Sequence, residues 1–168
     1  TGTADDFIAG RNAVPIAHLK LKITGNDQQF YTDLYFTDNA TSGFDPGYDA
    51  GMFGATPAFA LYTHLVENNV GTDLAVQSLS YSALDDILIP LGVNANAGIP
   101  ISFSIEQSSL GNDVEVYLED QFAQTVTRLD LENYSLTSNT PLSSTGRFFI
   151  NVTRQRLTIA DELLGSLN

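Results

Sequence analysis

Residues Ile16–Phe36 read IAHLKLKITGNDQQFYTDLYF, and this stretch decides the fold. Apolar side chains occupy every second position of its first half, and polar or basic side chains fill the positions between them. A period of two predicts a β-strand over Ile16–Thr24 with one buried face and one face in solvent. The dipeptide Asn26-Asp27 predicts a tight turn, so Gln29–Phe36 is the returning strand of a hairpin.

The same alternation continues along the chain and predicts about ten short strands in all. Beyond the hairpin they are Phe59–Leu65, Leu74–Leu79, Asp86–Val93, Ile99–Glu106, Val114–Glu119, Thr125–Leu129, Tyr134–Thr137 and Arg147–Val152. Pro90 has no N–H, which predicts that its strand lies at a sheet edge or carries a bulge. No segment before residue 155 shows the periodicity of an amphipathic helix. The pattern predicts an all-β fold, specifically an antiparallel β-sandwich of jelly-roll type.

The composition excludes several classes of protein. The chain has 168 residues, with 20 acidic and 7 basic side chains, and a net charge of −13. Such a balance excludes a nucleic-acid binder that needs a basic stripe, and it argues against docking on anionic membranes. The absence of cysteine excludes disulfides, zinc–thiolate sites and a thiol nucleophile. No apolar run is long enough to cross a membrane.

The domain organisation follows from where the alternation begins and ends. We expect a flexible N-terminal segment at 1–12, a single β-sandwich at 13–153, and a linker at 154–168 that leads toward an absent domain. The first twelve residues show no basic stretch followed by an apolar one, so we expect a processed or excised chain.

Catalytic motifs are missing. His18 and His64 are the two histidines, and both lie on predicted strands. The sequence has no G-x-S-x-G nucleophile elbow and no H-E-x-x-H metal motif to accompany them. We therefore expect a protein that is not an enzyme.

A Gly-rich loop over residues 37–54 is the candidate metal site. Asp38, Asn39, Asp45 and Asp49 offer oxygen ligands on a backbone that its glycines make free to wrap, which suits calcium. Alternatively, the same side chains accept backbone N–H groups in Asx-turns. A weaker acidic group consists of Asn112, Asp113, Glu115, Glu119 and Asp120.

Candidate ligand-binding residues lie on the hairpin. Alternation places Tyr31, Asp33 and Tyr35 on the face opposite the apolar side chains, and tyrosine is the aromatic residue available for stacking on sugars because the chain lacks tryptophan. Tyr48 in the loop and the scarce lysines Lys20 and Lys22 join them as candidates. Alternatively, these tyrosines cover a sheet edge or an interdomain contact.

Three short strings carry a resemblance to a known family. They are LYFTDNAT at 34–41, FDPGYDAG at 44–51 and VYLED at 116–120. Together with the order of the segments along residues 16–152, they resemble a β-sandwich module of secreted and surface proteins of Bacteroidota. That module commonly stands just before the C-terminal sorting domain of the type IX secretion system.

The resemblance implies a function and a setting. We expect a non-catalytic, carbohydrate-binding accessory module, secreted or at the cell surface, whose partners are a polysaccharide, other domains of the same polypeptide and the secretion machinery. The alternative is a structural spacer or adhesion domain, or a secretion-associated module, with no sugar ligand. The resemblance assigns no binding residue.

Overall fold

The computed structural model describes residues 14–155. The predicted flexible segment at 1–12 lies outside the described residues, and so does the predicted linker at 154–168 except for its first two positions. Within the described range, no helix has the length and apolar character needed to cross a membrane.

The predicted hairpin is confirmed. Strand β1 (Ile16–Gly25) pairs with β2 (Gln28–Thr37) in an antiparallel ladder that runs along the whole length of both strands. Asn26 and Asp27 between them have φ angles of +43° and +62°. Two successive residues with positive φ are typical of a type I′ turn, whose twist matches that of the strands it joins.

Nine further strands and one short helix complete the described chain. The strands are β3 (Ala50–Gly51), β4 (Ala60–Thr63), β5 (Leu74–Leu79), β6 (Asp86–Asn94), β7 (Pro100–Ser108), β8 (Val114–Asp120), β9 (Thr125–Arg128), β10 (Tyr134–Thr137) and β11 (Phe148–Arg154). The helix, Tyr81–Asp85, is a 3₁₀-helix that is too short to show a helical period in the sequence. The all-β prediction is confirmed.

The strands form one nearly closed, barrel-like sheet. Their order is β10-β7-β1-β2-β5-β4-β6-β11-β8-β9, and β3 pairs with β5 beside this path. The sheet is mixed, because β5 runs parallel to β2 after the long connection that contains β3 and β4. The antiparallel jelly-roll sandwich is therefore not confirmed.

The prediction that the strand of Pro90 lies at an edge is wrong, and so is its alternative of a bulge, because both ladders of this strand run without a register shift. Its strand β6 lies inside the sheet, between β4 and β11. The ladder of β4 with β6 ends at the pair Thr63 and Leu91. Beyond this pair, the Pro90 carbonyl accepts a hydrogen bond from the N–H of His64, the residue that follows Thr63. Pro90 has no N–H with which to return a hydrogen bond to His64, and the β4–β6 ladder ends at this point.

The core fills the inside of the curved sheet. Alternate residues of the long strands are almost completely buried, among them Leu19, Leu21, Ile23, Leu34, Phe36, Ile89, Leu91, Phe103, Leu118, Phe148 and Ile150. The ring of Tyr62 packs on the backbone of Gly92. A Cβ atom at position 92 would come within 2.0 Å of this ring. The Tyr62 hydroxyl donates to Asn94 at 2.9 Å, which fixes the ring in this place.

Side chains join the two ends of the sheet, which backbone pairing leaves open. We call Asp120, Tyr134 and Arg147 the closing cluster. The Asp120 carboxylate is buried and accepts hydrogen bonds from Arg147 Nε at 2.9 Å, Arg147 Nη2 at 2.8 Å and the Tyr134 hydroxyl at 2.8 Å. It also accepts the backbone N–H groups of Phe122 and Ala123. Tyr134 lies on the edge strand β10, so the cluster ties that edge to β8 and the turn leading to β9.

Substituting Asp120 tests how strongly the closing cluster stabilises the fold. We expect Asp120→Asn to lower the free energy of unfolding by about 3 kcal/mol, because it leaves Arg147 without its counter-charge. Tyr134→Phe, which removes one hydrogen bond, is the control and costs about 1 kcal/mol. Urea unfolding monitored by circular dichroism measures both. An Asp120→Asn variant as stable as the Tyr134→Phe variant would contradict this role.

The closing cluster also predicts acid sensitivity. Burial by itself raises the pKa of Asp120, but hydrogen bonds from Arg147, the Ala123 N–H and Tyr134 outweigh it and hold this pKa below its ordinary value. The cluster therefore stabilises the fold above the unfolded pKa of about 3.9, and this contribution is lost as the pH falls from there through the folded pKa. Unfolding measured across acidic pH shows a smaller loss of stability in Asp120→Asn than in the unsubstituted chain. If the free energy of unfolding falls equally steeply with pH in both proteins, the predicted contribution of Asp120 to acid sensitivity is refuted.

Candidate functional site

The most regular polar surface lies on the outside of β10, β7, β1 and β2. We call it the outer polar face. It consists of His18, Lys20, Lys22 and Thr24 of β1, Gln29, Tyr31, Asp33 and Tyr35 of β2, Ser102 and Ser104 of β7, and Ser135 of β10. The side chains between them on β2, such as Leu34 and Phe36, are completely buried. The predicted grouping of Tyr31, Asp33 and Tyr35 on one outward face is confirmed.

At one end of this face a histidine stacks on a tyrosine. The rings of His18 and Tyr35, which lie opposite each other on β1 and β2, have centroids 4.5 Å apart and planes 16° apart. His18 Nε2 lies 2.7 Å from Asp33 Oδ1. One side of the Tyr35 ring is thus covered by its own sheet, and the Asp33 carboxylate already has a partner.

Both lysines lie over Tyr31. Lys20 Nζ is 4.9 Å from the centre of the Tyr31 ring and Lys22 Nζ is 5.7 Å from it, within the range of a cation–π contact. Lys22 also forms an ion pair with Glu106 at 3.2 Å. Hydrogen bonding to Glu106 raises the pKa of Lys22. These neighbours orient the two lysines across the middle of the face.

A cleft of about 670 Å³ lies at the other end of the outer polar face. Face residues Thr24, Gln29, Ser102 and Ser135 line it, together with the turn residues 25–28. Its side chains are mainly hydroxyls and amides, and the Ser135 hydroxyl donates to the Ser102 hydroxyl at 2.9 Å. The cleft therefore offers mainly neutral hydrogen-bond donors and acceptors, beside the carboxylate of Asp27.

Sequence reasoning missed this cleft. Its residues come from the β1–β2 turn and from β7 and β10, which are distant in sequence. A signal was present in ISFSIE at 101–106, where serine alternates with apolar residues and so marks a neutral outward face. Which other strands lie beside that face is decided by the sheet order.

Two of the four predicted metal ligands in the loop after β2 accept backbone N–H groups. Asp45 accepts the N–H of Thr41 at 2.6 Å, and buried Asp49 accepts the N–H groups of Asp45 and Ser78, each at 2.6 Å. Burial raises the pKa of the Asp49 carboxyl. Asp38 and Asn39, the other two predicted ligands, are exposed. These contacts match the alternative that the sequence left open, in which Asp and Asn support turns.

The loop also exposes three aromatic side chains. Phe44 and Tyr48 have about half of their surface in solvent, and Phe53 is completely exposed. Tyr48, a predicted ligand residue, therefore belongs to this loop and not to the outer polar face. Its carbonyl accepts a hydrogen bond from the Ser78 hydroxyl at 2.8 Å, which anchors the loop to β5.

The second acidic group is largely taken up by ion pairs. Glu115 pairs with Arg128 at 2.8 Å, and Asp113 with Arg154 at 3.1 Å. Asp120 belongs to the closing cluster. Among residues 14–155, no group of three or more His, Asp or Glu side chains is arranged to hold a metal ion.

His64 directly follows β4. It is buried, and its Nε2 atom lies 2.7 Å from Asp73 Oδ1, while the Thr56 hydroxyl donates to the other oxygen of Asp73. Its second ring nitrogen, Nδ1, has no hydrogen-bond partner within the described chain. A His–Asp pair that catalyses nucleophilic attack needs a hydroxyl or thiol at that nitrogen, and His64 lacks one in residues 14–155.

A thermal melt tests the calcium prediction for Asp38, Asn39, Asp45 and Asp49. An ion that binds the folded protein and not the unfolded chain stabilises the folded state by mass action. Calcium at one hundred times its Kd therefore adds about 2.7 kcal/mol to the free energy of unfolding. We then expect a higher Tm in calcium chloride than in EGTA, with magnesium chloride as the control. An unchanged Tm would contradict calcium binding and leave Asp45 and Asp49 with their backbone N–H donors alone.

Comparison of the chain with models of protein families, with curated protein sequences and with solved structures found no match. The resemblance to the Bacteroidota module therefore stays a prediction.

Proposed function

We propose that this protein is a non-catalytic, carbohydrate-binding accessory module that holds a polysaccharide on its outer polar face. One observation carries the proposal: the cleft lined by Thr24, Gln29, Ser102 and Ser135 opens directly onto the sheet surface that bears Tyr31. The polar surface is therefore continuous over four adjacent strands.

The chemistry of this surface suits sugar hydroxyls. Each hydroxyl donates and accepts hydrogen bonds, and so do serine, threonine and glutamine side chains. Binding sites commonly combine a concave surface with a few convergent polar groups that set the orientation of the ligand. A cleft that continues into a sheet face also leaves room for a polymer to extend beyond the units it binds.

The setting is part of the same proposal. The resemblance of the strings at 34–41, 44–51 and 116–120 supports a secreted or cell-surface location, with other domains of the polypeptide and the type IX secretion machinery as partners. Calcium binding by the loop after β2 stays a separate prediction.

The alternative is a spacer, adhesion or secretion-associated domain without a sugar ligand. The exposed aromatic side chains of Phe44, Tyr48 and Phe53 favour it, because exposed aromatic residues are enriched where one protein surface contacts another. The stacking of His18 on Tyr35 also fits a face that needs no ligand.

On this alternative, deleting the module or replacing the three aromatic residues by alanine alters export or retention, and no sugar binds.

Affinity gel electrophoresis against a panel of plant and algal polysaccharides tests the main proposal. We expect at least one polymer to retard the protein, and a Gln29→Ala/Ser135→Ala variant to bind it about tenfold more weakly, because two hydrogen-bonding side chains at the cleft are lost. Thr72→Ala, an exposed site outside the cleft, is the matched control and keeps the affinity of the unsubstituted chain. Unretarded migration on every polymer would refute carbohydrate binding.

A further inference from the structure

Lys20 differs from the other basic side chains of the described chain. Each of the others has a carboxylate within 4.0 Å: the pairs are Lys22–Glu106, Arg128–Glu115, Arg147–Asp120 and Arg154–Asp85. Among residues 14–155, no carboxylate lies that close to Lys20 Nζ. Although the chain has 20 acidic residues, this lysine has no ion-pair partner among residues 14–155.

The acidic side chains near Lys20 in the described part of the chain have other partners. Its direct neighbour across the β1–β2 ladder is Asp33, whose carboxylate contacts His18 at 2.7 Å. The nearby Glu106 is paired with Lys22. Lys20 instead lies over the ring of Tyr31, and a cation–π contact of this kind orients an ammonium group without cancelling its charge.

We propose that Lys20 binds an anionic group of the polysaccharide, so that the ligand of the outer polar face is an acidic polymer and not a neutral one. This inference rests on the proposed carbohydrate-binding function. An ammonium group is a compact charge with three donors and imposes no planar geometry, so either a uronate carboxylate or a sulfate ester fits it. The cleft, whose polar side chains are mainly hydroxyls and amides, then binds the uncharged parts of neighbouring sugar units.

The spacing along β1 is consistent with one polymer reaching both places. Lys20 and Thr24 are four residues apart on the same face of the strand, which corresponds to about 13 Å. This distance is longer than a single sugar ring, so the anionic group and the cleft contact different units of the chain. The net charge of −13 adds only a weak long-range repulsion of a polyanion. Exposed charges that are farther apart than the Debye length, about 8 Å in physiological salt, are largely screened from each other.

The experiment compares acidic and neutral polymers on the full chain. The acidic probes are polygalacturonate and alginate for carboxylates and carrageenan for sulfate esters, and the neutral probes are galactan and agarose. We expect at least one acidic polymer to bind more tightly than the neutral ones, with an affinity that falls as sodium chloride is raised. We expect Lys20→Met to weaken that binding about tenfold or more, since a charge-assisted hydrogen bond is lost.

Two further variants separate the site from general effects. Thr72→Asp makes the same change in net charge as Lys20→Met at an exposed position outside the face, and we expect it to leave the affinity within about twofold of the unsubstituted chain. Lys20→Arg keeps the charge and retains binding. Preference for carboxylate or sulfate polymers identifies the anionic group.

The possible failures are distinguishable. Equal binding of neutral and acidic polymers, with Lys20→Met unaffected, overturns the anionic subsite and leaves carbohydrate binding in place. An equal loss of affinity in Thr72→Asp and Lys20→Met also overturns it, because the effect then follows net charge. No binding to any polymer overturns the proposed function and the subsite together.

Discussion

Closure of the sheet depends on one buried carboxylate. Asp120 brings a charge into the interior, and such a charge is tolerated because Arg147, Tyr134 and two backbone N–H groups donate to it. Backbone pairing does not join the edge strands β9 and β10, so these side-chain contacts hold the two ends of the sheet together. The enclosed core and the outward faces of the strands follow from this closure.

The outer polar face depends in turn on the register of β1 and β2. Because side chains alternate with a period of two, a slip of one residue would turn the basic residues of β1 into the core. The type I′ turn at Asn26-Asp27 and the completely buried Leu34 and Phe36 prevent such a slip. The register places Lys20 across the ladder from Asp33, whose carboxylate contacts His18. Because no carboxylate of residues 14–155 forms an ion pair with Lys20, the proposed anionic subsite lies there.

Particular residues show how far sequence reasoning reached. The hairpin and the outward position of Tyr31 and Tyr35 were predictable, because each depends on neighbours within a few positions. The turn role of Asp45 was foreseen as one of two alternatives. The position of Pro90 and the parallel pairing of β2 with β5 were not, because both depend on strands that approach through long connections.

The sequence by itself determined which side of each strand faces solvent, the tight turn of the hairpin and the acidic balance of the chain, since these depend on alternation and composition. The tertiary structure alone decided which strands are neighbours. It thereby decided that Ser102 and Ser135 meet Thr24 and Gln29 in a cleft, and which acid neutralises which base. The physical reason is that backbone ladders and ion pairs act over a few ångströms in space, and sequence separation does not fix those distances.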